Sequence, residues 1–400
     1  MQTVTDEFQT TVGKSSFIRK MFEKGIELKQ RYGEDAVCDF SLGNPDVPPP
    51  PAARDFLHRF ADEAVKPLGL GYCPNAGIPA CREAIAGYLA AQQNLPLRGK
   101  DVIITVGAAS ALVCFFRATL EPGDEVVVPS PYFVEYGNYC GHFGGVLKSV
   151  PTREDFTLDV EAIAAAVTDR TRAIIVNSPN NPTGQIYSRA ELESLAALVD
   201  GVNAGREGKS RPLFLLSDEP YRAFAYDGAE VPPVLPMSKY ALVLGSFSKT
   251  LSMAGERIGY LAVHPELSEA DDGALLSVLT LVNRTLGYVN APVIGQKLAA
   301  AICNTTVDLE IYRRRHDLMA EVLSAAGIEF TMPRGAFYFF PKAPGGDDGK
   351  FVDALFEEKI LAVPGTGFGR AGYFRLSCAV DEKVIERSAA GFKRATEKFR

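Results

Sequence analysis

The sequence predicts an α/β protein: a large domain with a mostly parallel sheet between helices, joined to a smaller α+β domain. Three observations predict it. Short apolar runs alternate with helical runs through the middle of the chain, the pattern of strands joined by helical crossovers. Those runs lack polar alternation, as expected of strands covered on both faces. The last third changes to longer amphipathic helices separated by short strand-like segments. The expected division is a large domain over 52–290 and a small domain built from 1–51 together with 291–400.

Taken in order, Met1–Val12 is polar and reads as a loose arm. Phe17–Tyr32 carries Phe17, Ile18, Met21, Phe22, Ile26 and Leu28 at near-helical spacing, with Ser15 and Ser16 as candidate caps. Ser41–Pro51 holds a proline run that no helix interior accepts, so it reads as irregular. Val102–Val106 is the first strand of the α/β run; Gly107 breaks it, and Ala108–Leu120 follows as a helix. Glu121-Pro122-Gly123-Asp124 is a turn before the strand Glu125–Val128. Ala173–Val176, Pro212–Leu216 and Ala241–Leu244 are further strands. Ser188 and Glu191 fit a capping box ahead of a helix ending near Val199. In the last third, Val293–Cys303, Leu309–Ala326 and Lys350–Glu358 read as helices and Tyr373–Ser377 as a strand. Ile328–Thr331 and Ala336–Phe340 are expected to pair as a hairpin across Pro333-Arg334-Gly335.

Composition narrows the function classes. The chain has 400 residues, 46% hydrophobic and 23% charged, enough for a large buried core. Its net charge of −7 argues against nucleic acid as a partner, which needs clustered Lys and Arg. No run approaches the roughly 20 apolar residues that span a bilayer, and the N-terminus lacks an apolar signal core, so a cytoplasmic location is expected. The seven cysteines are scattered, with no CxxC pair, and read as reduced core thiols rather than metal ligands. None of the four histidines has a local sequence that assigns it to catalysis.

Chemistry is expected beyond the carboxyl ends of the strands, where open α/β sheets bind ligands. Four strands end in such residues: Gly107-Ala108-Ala109 after Val106, Asn177–Gly184 after Val176, Ser217–Tyr221 after Leu216, and Gly245–Lys249 after Leu244. A glycine break opening a helix offers free N–H groups and a positive dipole end, which suit a phosphate. Ser246 and Ser248 add hydroxyls, and Arg257 adds a cation able to grip phosphate bidentately. Lys249 is a candidate carbonyl-trapping amine. Asp218 ends a buried strand, where a carboxylate is costly unless it meets a cation such as a protonated pyridine nitrogen. A lysine, an acid for a ring nitrogen and a phosphate cup are the parts of a pyridoxal 5'-phosphate (PLP) site.

At these residues the chain resembles the class I/II aminotransferases of PLP fold type I. Ser246–Gly259 (SFSKTLSMAGERIG) resembles their lysine-attachment signature. Asn181-Pro182-Thr183-Gly184, Asp218-Glu219-Pro220-Tyr221 and Phe374-Arg375-Leu376-Ser377 resemble further motifs, as do Gly43-Asn44-Pro45-Asp46 and Tyr72–Gly77. The set runs in the family's order over nearly the whole chain, which makes it far more specific than any one motif. The resemblance implies a seven-stranded sheet, PLP held on Lys249 as a Schiff base, and Asp218 on the ring nitrogen. It implies that Asn181 and Tyr221 bond the phenolic oxygen, and that Arg375, with the Gly43 backbone, takes the substrate carboxylate. It gives Phe133 the role of stacking on the ring, with Tyr132 as the alternative, and Tyr72 that of reaching a neighbour's phosphate in a homodimer.

The implied reaction is ping-pong transfer of an amino group between an L-amino acid and a 2-oxo acid, with Lys249 moving the proton. An aspartate- or alanine-like donor fits the family. Two features bear on the donor. The Gly107-Ala108-Ala109 stretch has no side chain larger than a methyl where many relatives carry a hydroxyl or a base. Arg284 lies about where aspartate-specific relatives bind the distal carboxylate, and reads equally well as a helix-surface arginine. A C–S lyase, a decarboxylase or a cyclopropane-carboxylate synthase on the same scaffold would share the cofactor residues. A PLP-sensing regulator would need a DNA-binding module, and the segment before Gly43 has no basic helix-turn-helix pattern.

Overall fold

Seven strands build the main sheet: β1 (Val102–Thr105), β2 (Glu125–Ser130), β3 (Val146–Pro151), β4 (Thr171–Asn177), β5 (Phe214–Asp218), β6 (Ala241–Ser246) and β7 (Gly259–Val263). Their spatial order is β1-β7-β6-β5-β4-β2-β3. Every pairing is parallel except those of β7, which runs antiparallel to both β1 and β6. The computed structural model describes residues 3–4 and 17–399; most of the expected polar arm, and the candidate caps Ser15 and Ser16, lie outside them.

Period-two alternation sends the strand side chains to two separate cores. Val127, Ile174, Val176, Leu215 and Val243 face one; Val126, Val128, Ala173, Ile175, Leu216, Leu242 and Leu244 face the other. Both faces being apolar, the strands read as continuous hydrophobic runs, and helices such as Gly107–Thr119 and Arg189–Arg206 cover them. A third core joins Cys38 and Phe40 to the C-terminal elements. There Cys38–Asp39 pairs parallel with Ile360–Leu361, and Phe374–Ser377 lies between Val363–Pro364 and Tyr338–Phe339.

The expected elements form within a few residues, with the exceptions that follow; the helices Pro79–Gln93, Ala274–Thr285 and Glu382–Glu397 are not among those expected. The sequence reading has no β3 or β7. β3 is a sheet edge with exposed Val146 and the polar pair Lys148 and Ser149, so its apolar signal is weak. β7 follows directly on the lysine-bearing segment and is only five residues long. The Ile328–Phe340 hairpin does not form. Arg334 and Gly335 instead donate their N–H groups to the Gly184 carbonyl (3.0 and 2.9 Å), and Tyr338–Phe339 pairs with Phe374–Ser377. The capping-box helix runs on to Arg206, whose guanidinium is buried against the Thr168 and Thr171 carbonyls. Pro51 is not irregular but the first residue of the helix Pro51–Ala64, where its missing N–H costs nothing.

The helix Val293–Ile302 packs on Pro51–Ala64 and Pro79–Gln93, and its Leu298, Ala299 and Ile302 belong to a core of the main sheet. The next residue to join the third core is Val307.

Candidate active site

The carboxyl ends of β4, β5 and β6, with the start of the Gly107–Thr119 helix, close around a pocket of about 180 Å³. Ten residues singled out in the sequence line it: Ala108, Ala109, Phe133, Asn181, Asp218, Tyr221, Ser246, Ser248, Lys249 and Arg257.

Lys249 sits in a single helical turn, Phe247–Thr250, directly after β6. Its Nζ donates to the Gly43 carbonyl and lies 5.9 Å from the centre of the Phe337 ring. Burial, with the positive charges of Arg375 and Arg257 nearby, pulls its ammonium down to about 8. An amine so tuned is partly deprotonated, and nucleophilic, near neutral pH.

Asp218 ends β5 at the floor of the pocket and is 5% exposed. Its Oδ2 accepts a 2.5 Å hydrogen bond from the Tyr136 hydroxyl. Its Oδ1 is buried without a partner. Burial pushes the carboxyl up to about 7, against the pull of the Tyr136 hydrogen bond and with a further push from the charge of Glu219. An orphaned carboxylate oxygen facing a pocket is costly, and a cationic N–H in that pocket removes the cost. The neighbouring Glu219 is satisfied: it binds Arg222 Nη1 and Gln93 Nε2 at 2.9 Å each and Ser217 Oγ at 2.8 Å.

The other end of the pocket is built for an anion. Gly107 opens the Gly107–Thr119 helix at φ +81, in the left-handed region, and a Cβ there would lie 2.7 Å from Arg257 Nη2. Glycine therefore lets the guanidinium lie against the helix start, where unpaired N–H groups point outward. Gly259, paired with Thr105, passes so close to this backbone that a Cβ on it would sit 2.4 Å from the Gly107 carbonyl carbon. Ser246 and Ser248 complete the rim.

Arg375 lies behind Asn181. Its Nη1 donates to Asn181 Oδ1 at 3.1 Å and its Nη2 to the Ser41 carbonyl at 2.5 Å. Its Nε is buried without a partner, and its guanidinium sits between the Tyr338 and Phe368 rings, 4.9 Å from each centre. Asn181 itself is fixed from below, its N–H donating to Asn177 Oδ1 at 2.7 Å while Asn177 Nδ2 donates to the Asp218 carbonyl at 2.8 Å.

Phe133, and not Tyr132, faces the pocket, with its ring edge-on to Tyr136 at 5.5 Å; Tyr132 turns to Phe368 and Gly369. Two residues stand apart. Tyr72 is 93% exposed and does not line the pocket. Arg284 is exposed in the last turn of the helix Ala274–Thr285 and does not line it either. Sequence reasoning gave no role to Tyr136, Asn177 or Tyr338. Tyr136 and Tyr338 carried no signal beyond that of a core aromatic, and Asn177 was only the first polar residue after an apolar strand.

Comparison with known proteins agrees with this geometry. The family model for aminotransferase class I and II matches residues 35–392. The chain is 34% identical to the aspartate/prephenate aminotransferase of Thermus thermophilus, over 93% of each chain. It is 33% identical to the aspartate aminotransferase of Thermotoga maritima, over 92% of this chain and 94% of that one. Its fold matches an amino transferase from Eubacterium rectale at a TM-score of 0.92 and 35% identity, covering both chains fully. It matches the aspartate aminotransferase of Thermus thermophilus with maleate at 0.86 and 31% identity, over 99% and 100% of the two chains. The sheet is that of the PLP fold type I enzymes, and the chain belongs to the class I and II aminotransferases as a transaminase.

Proposed function

We propose that the pocket holds PLP and that the enzyme moves the amino group of an acidic L-amino acid, with aspartate first among donors, to a 2-oxo acid by a ping-pong mechanism. The observation that carries the reading is the juxtaposition in one pocket of Lys249, the unpaired Oδ1 of Asp218 and the Arg257 anion end. The names of the relatives, aspartate and aspartate/prephenate aminotransferases, support the donor.

In this reading the cofactor, when bound, supplies an electron sink that stabilises negative charge at the substrate Cα. The residues supply the rest. Arg257, the N–H groups of Gly107, Ala108 and Ala109, and the hydroxyls of Ser246 and Ser248 hold the phosphate. Asp218, anchored by Tyr136, holds a proton on the ring nitrogen. Asn181 and Tyr221 donate to the phenolic oxygen, and Phe133 stacks on the ring face. Arg375 binds the substrate α-carboxylate, with the Gly43 backbone beside it. Lys249, whose amine lies beside the Gly43 carbonyl, would take the proton from the substrate Cα and return it.

We further propose a homodimer in which the exposed Tyr72 reaches the partner's phosphate end. In the same assembly Arg284 is a candidate for the distal carboxylate. The two-domain division is also ours: a large domain around the sheet and a small one joining the N-terminal segment to the C-terminal elements. The seven free cysteines support a cytoplasmic location; no helix among the described residues is long and apolar enough to cross a membrane.

The apoenzyme tests the lysine's tuning. Capture of PLP needs the free amine, so its rate is expected to rise with pH about a midpoint near 8. Stopped-flow absorbance measures it; a midpoint near 10.5, the ordinary lysine value, contradicts the buried placement. Function is tested by adding single amino acids to the holoenzyme. Aspartate should bleach the cofactor's visible band and 2-oxoglutarate should restore it. If an amino acid is consumed without any keto acid restoring the band, the protein is a C–S lyase or decarboxylase instead.

A further inference from the structure

The structure assigns to Tyr338 a positioning role at the site: its hydroxyl supplies the proton that lets Tyr221 give its own to the cofactor. This rests on the PLP reading above and adds a residue to it.

Tyr338 is 2% exposed and lies in the strand Tyr338–Phe339, between the motif residues rather than within any of them. Three contacts define it. Its hydroxyl is 2.9 Å from the Tyr221 hydroxyl, and the two rings meet edge to face at 5.5 Å. Its ring lies under the Arg375 guanidinium, 4.9 Å from the ring centre. Its hydroxyl also fills the space beside Gly43, where a Cβ would come within 1.9 Å of it. Only glycine at 43 admits this tyrosine, and the Gly43 carbonyl is the one that Lys249 reaches. One side chain thus touches the partner of the phenolic oxygen, the carboxylate clamp and the backbone that receives the lysine.

A proton count gives the direction of the shared bond. A phenol has one hydrogen. If Tyr221 spends its hydrogen on the cofactor's phenolic oxygen, the bond between the two tyrosines needs the hydrogen of Tyr338. Tyr338 is then donor and Tyr221 acceptor. In a buried chain of this kind each bond polarises the next, so Tyr221 becomes a stronger donor than it is alone. A stronger donor at the phenolic oxygen favours the form in which that oxygen carries more negative charge. That is the form with the proton off the linked Lys249 nitrogen, and the nitrogen's titration point falls. The ring of Tyr338 holds Arg375 by cation–π contact, a role that phenylalanine keeps.

The test is the pH titration of the holoenzyme's visible absorbance in wild type, Tyr338→Phe, Tyr221→Phe and the double variant. Tyr338→Phe is expected to titrate roughly 0.5–1 pH unit higher than wild type, the worth of one polarised hydrogen bond. Against Tyr221→Phe the same substitution is expected to shift nothing, because the relay then has no middle member. A merely structural role for Tyr338 would lower the melting temperature without this pattern. An unchanged titration in Tyr338→Phe, or an equal shift in both backgrounds, overturns the assignment while leaving the PLP reading intact. A wild-type protein that takes up PLP without any visible band overturns both.

Discussion

Replacing Lys249 by alanine is expected to remove transamination, lowering kcat/KM by at least roughly 10²–10⁴-fold, the range for losing a positioned acid–base group. The pocket contains no substitute. Among the described residues that line it, no other lysine and no histidine is present. Arg257 offers N–H donors and no acceptor, and burial beside Tyr338 holds the Tyr221 phenol well above its ordinary value of 10.0, so it keeps its own proton near neutral pH. In the proposed site Asp218 is committed to the ring nitrogen. The variant should still take up PLP, because the Arg257 end and Asp218 are unchanged, but without a covalent link. Borohydride reduction followed by peptide mass analysis makes the distinction: wild type retains the cofactor's mass on the peptide containing Lys249, and the variant retains none. Turnover within about tenfold of wild type would mean that another group carries the proton and that the assignment of Lys249 is wrong.

Much of this site was legible because strand ends in a parallel sheet are punctuated. β4, β5 and β6 carry the apolar runs Ala173–Val176, Phe214–Leu216 and Ala241–Leu244, and Asn177, Ser217-Asp218 and Gly245-Ser246 stand where each run stops. A polar residue there is conspicuous against its neighbours. Tyr136 and Tyr338 are as close to the chemistry but carry no such contrast, since an aromatic among Phe133, Phe337 and Phe339 looks like core. Their hydroxyls acquire meaning only when tertiary packing brings Asp218 and Tyr221 to them. The missing hairpin has the same origin. Ile328–Thr331 and Ala336–Phe340 are neighbours in sequence, but Pro333-Arg334-Gly335 is held by the Gly184 carbonyl, and Tyr338 finds its partner in Ser377. Local pattern gives the strand and not its mate. Tyr72 is the converse case: a sequence motif singles it out, while the single chain leaves it 93% exposed and away from the pocket.

Asp218→Asn carries the second large effect, because it keeps the shape at the end of β5 and removes only the charge. Breaking a buried charge pair on one side costs about 3–5 kcal/mol. If the bound ring nitrogen is the cation that Asp218 pairs with, kcat/KM is expected to fall by roughly 10²–10⁴-fold, with the Lys249 link still formed. The apoenzyme supplies an independent reading of the same carboxyl. Its ordinary value is 3.8, and burial raises it to about 7. Below pH 3.8 both the folded and the unfolded chain hold the proton, and the group costs nothing. Between about 4 and 7 the unfolded chain gives up its proton while the folded one keeps it, so apoenzyme stability falls as pH rises through that window and levels off above it. Asparagine does not titrate. The stability difference, wild type minus variant, should therefore decline from pH 4 to 7 without PLP, and the decline should shrink when PLP supplies the missing cation. Denaturant unfolding with and without PLP at a series of pH values measures both. A difference that is flat with pH in the apoenzyme would place Asp218 in contact with water rather than at a dry pocket floor. A decline that PLP leaves untouched would mean that the ring nitrogen does not reach Oδ1.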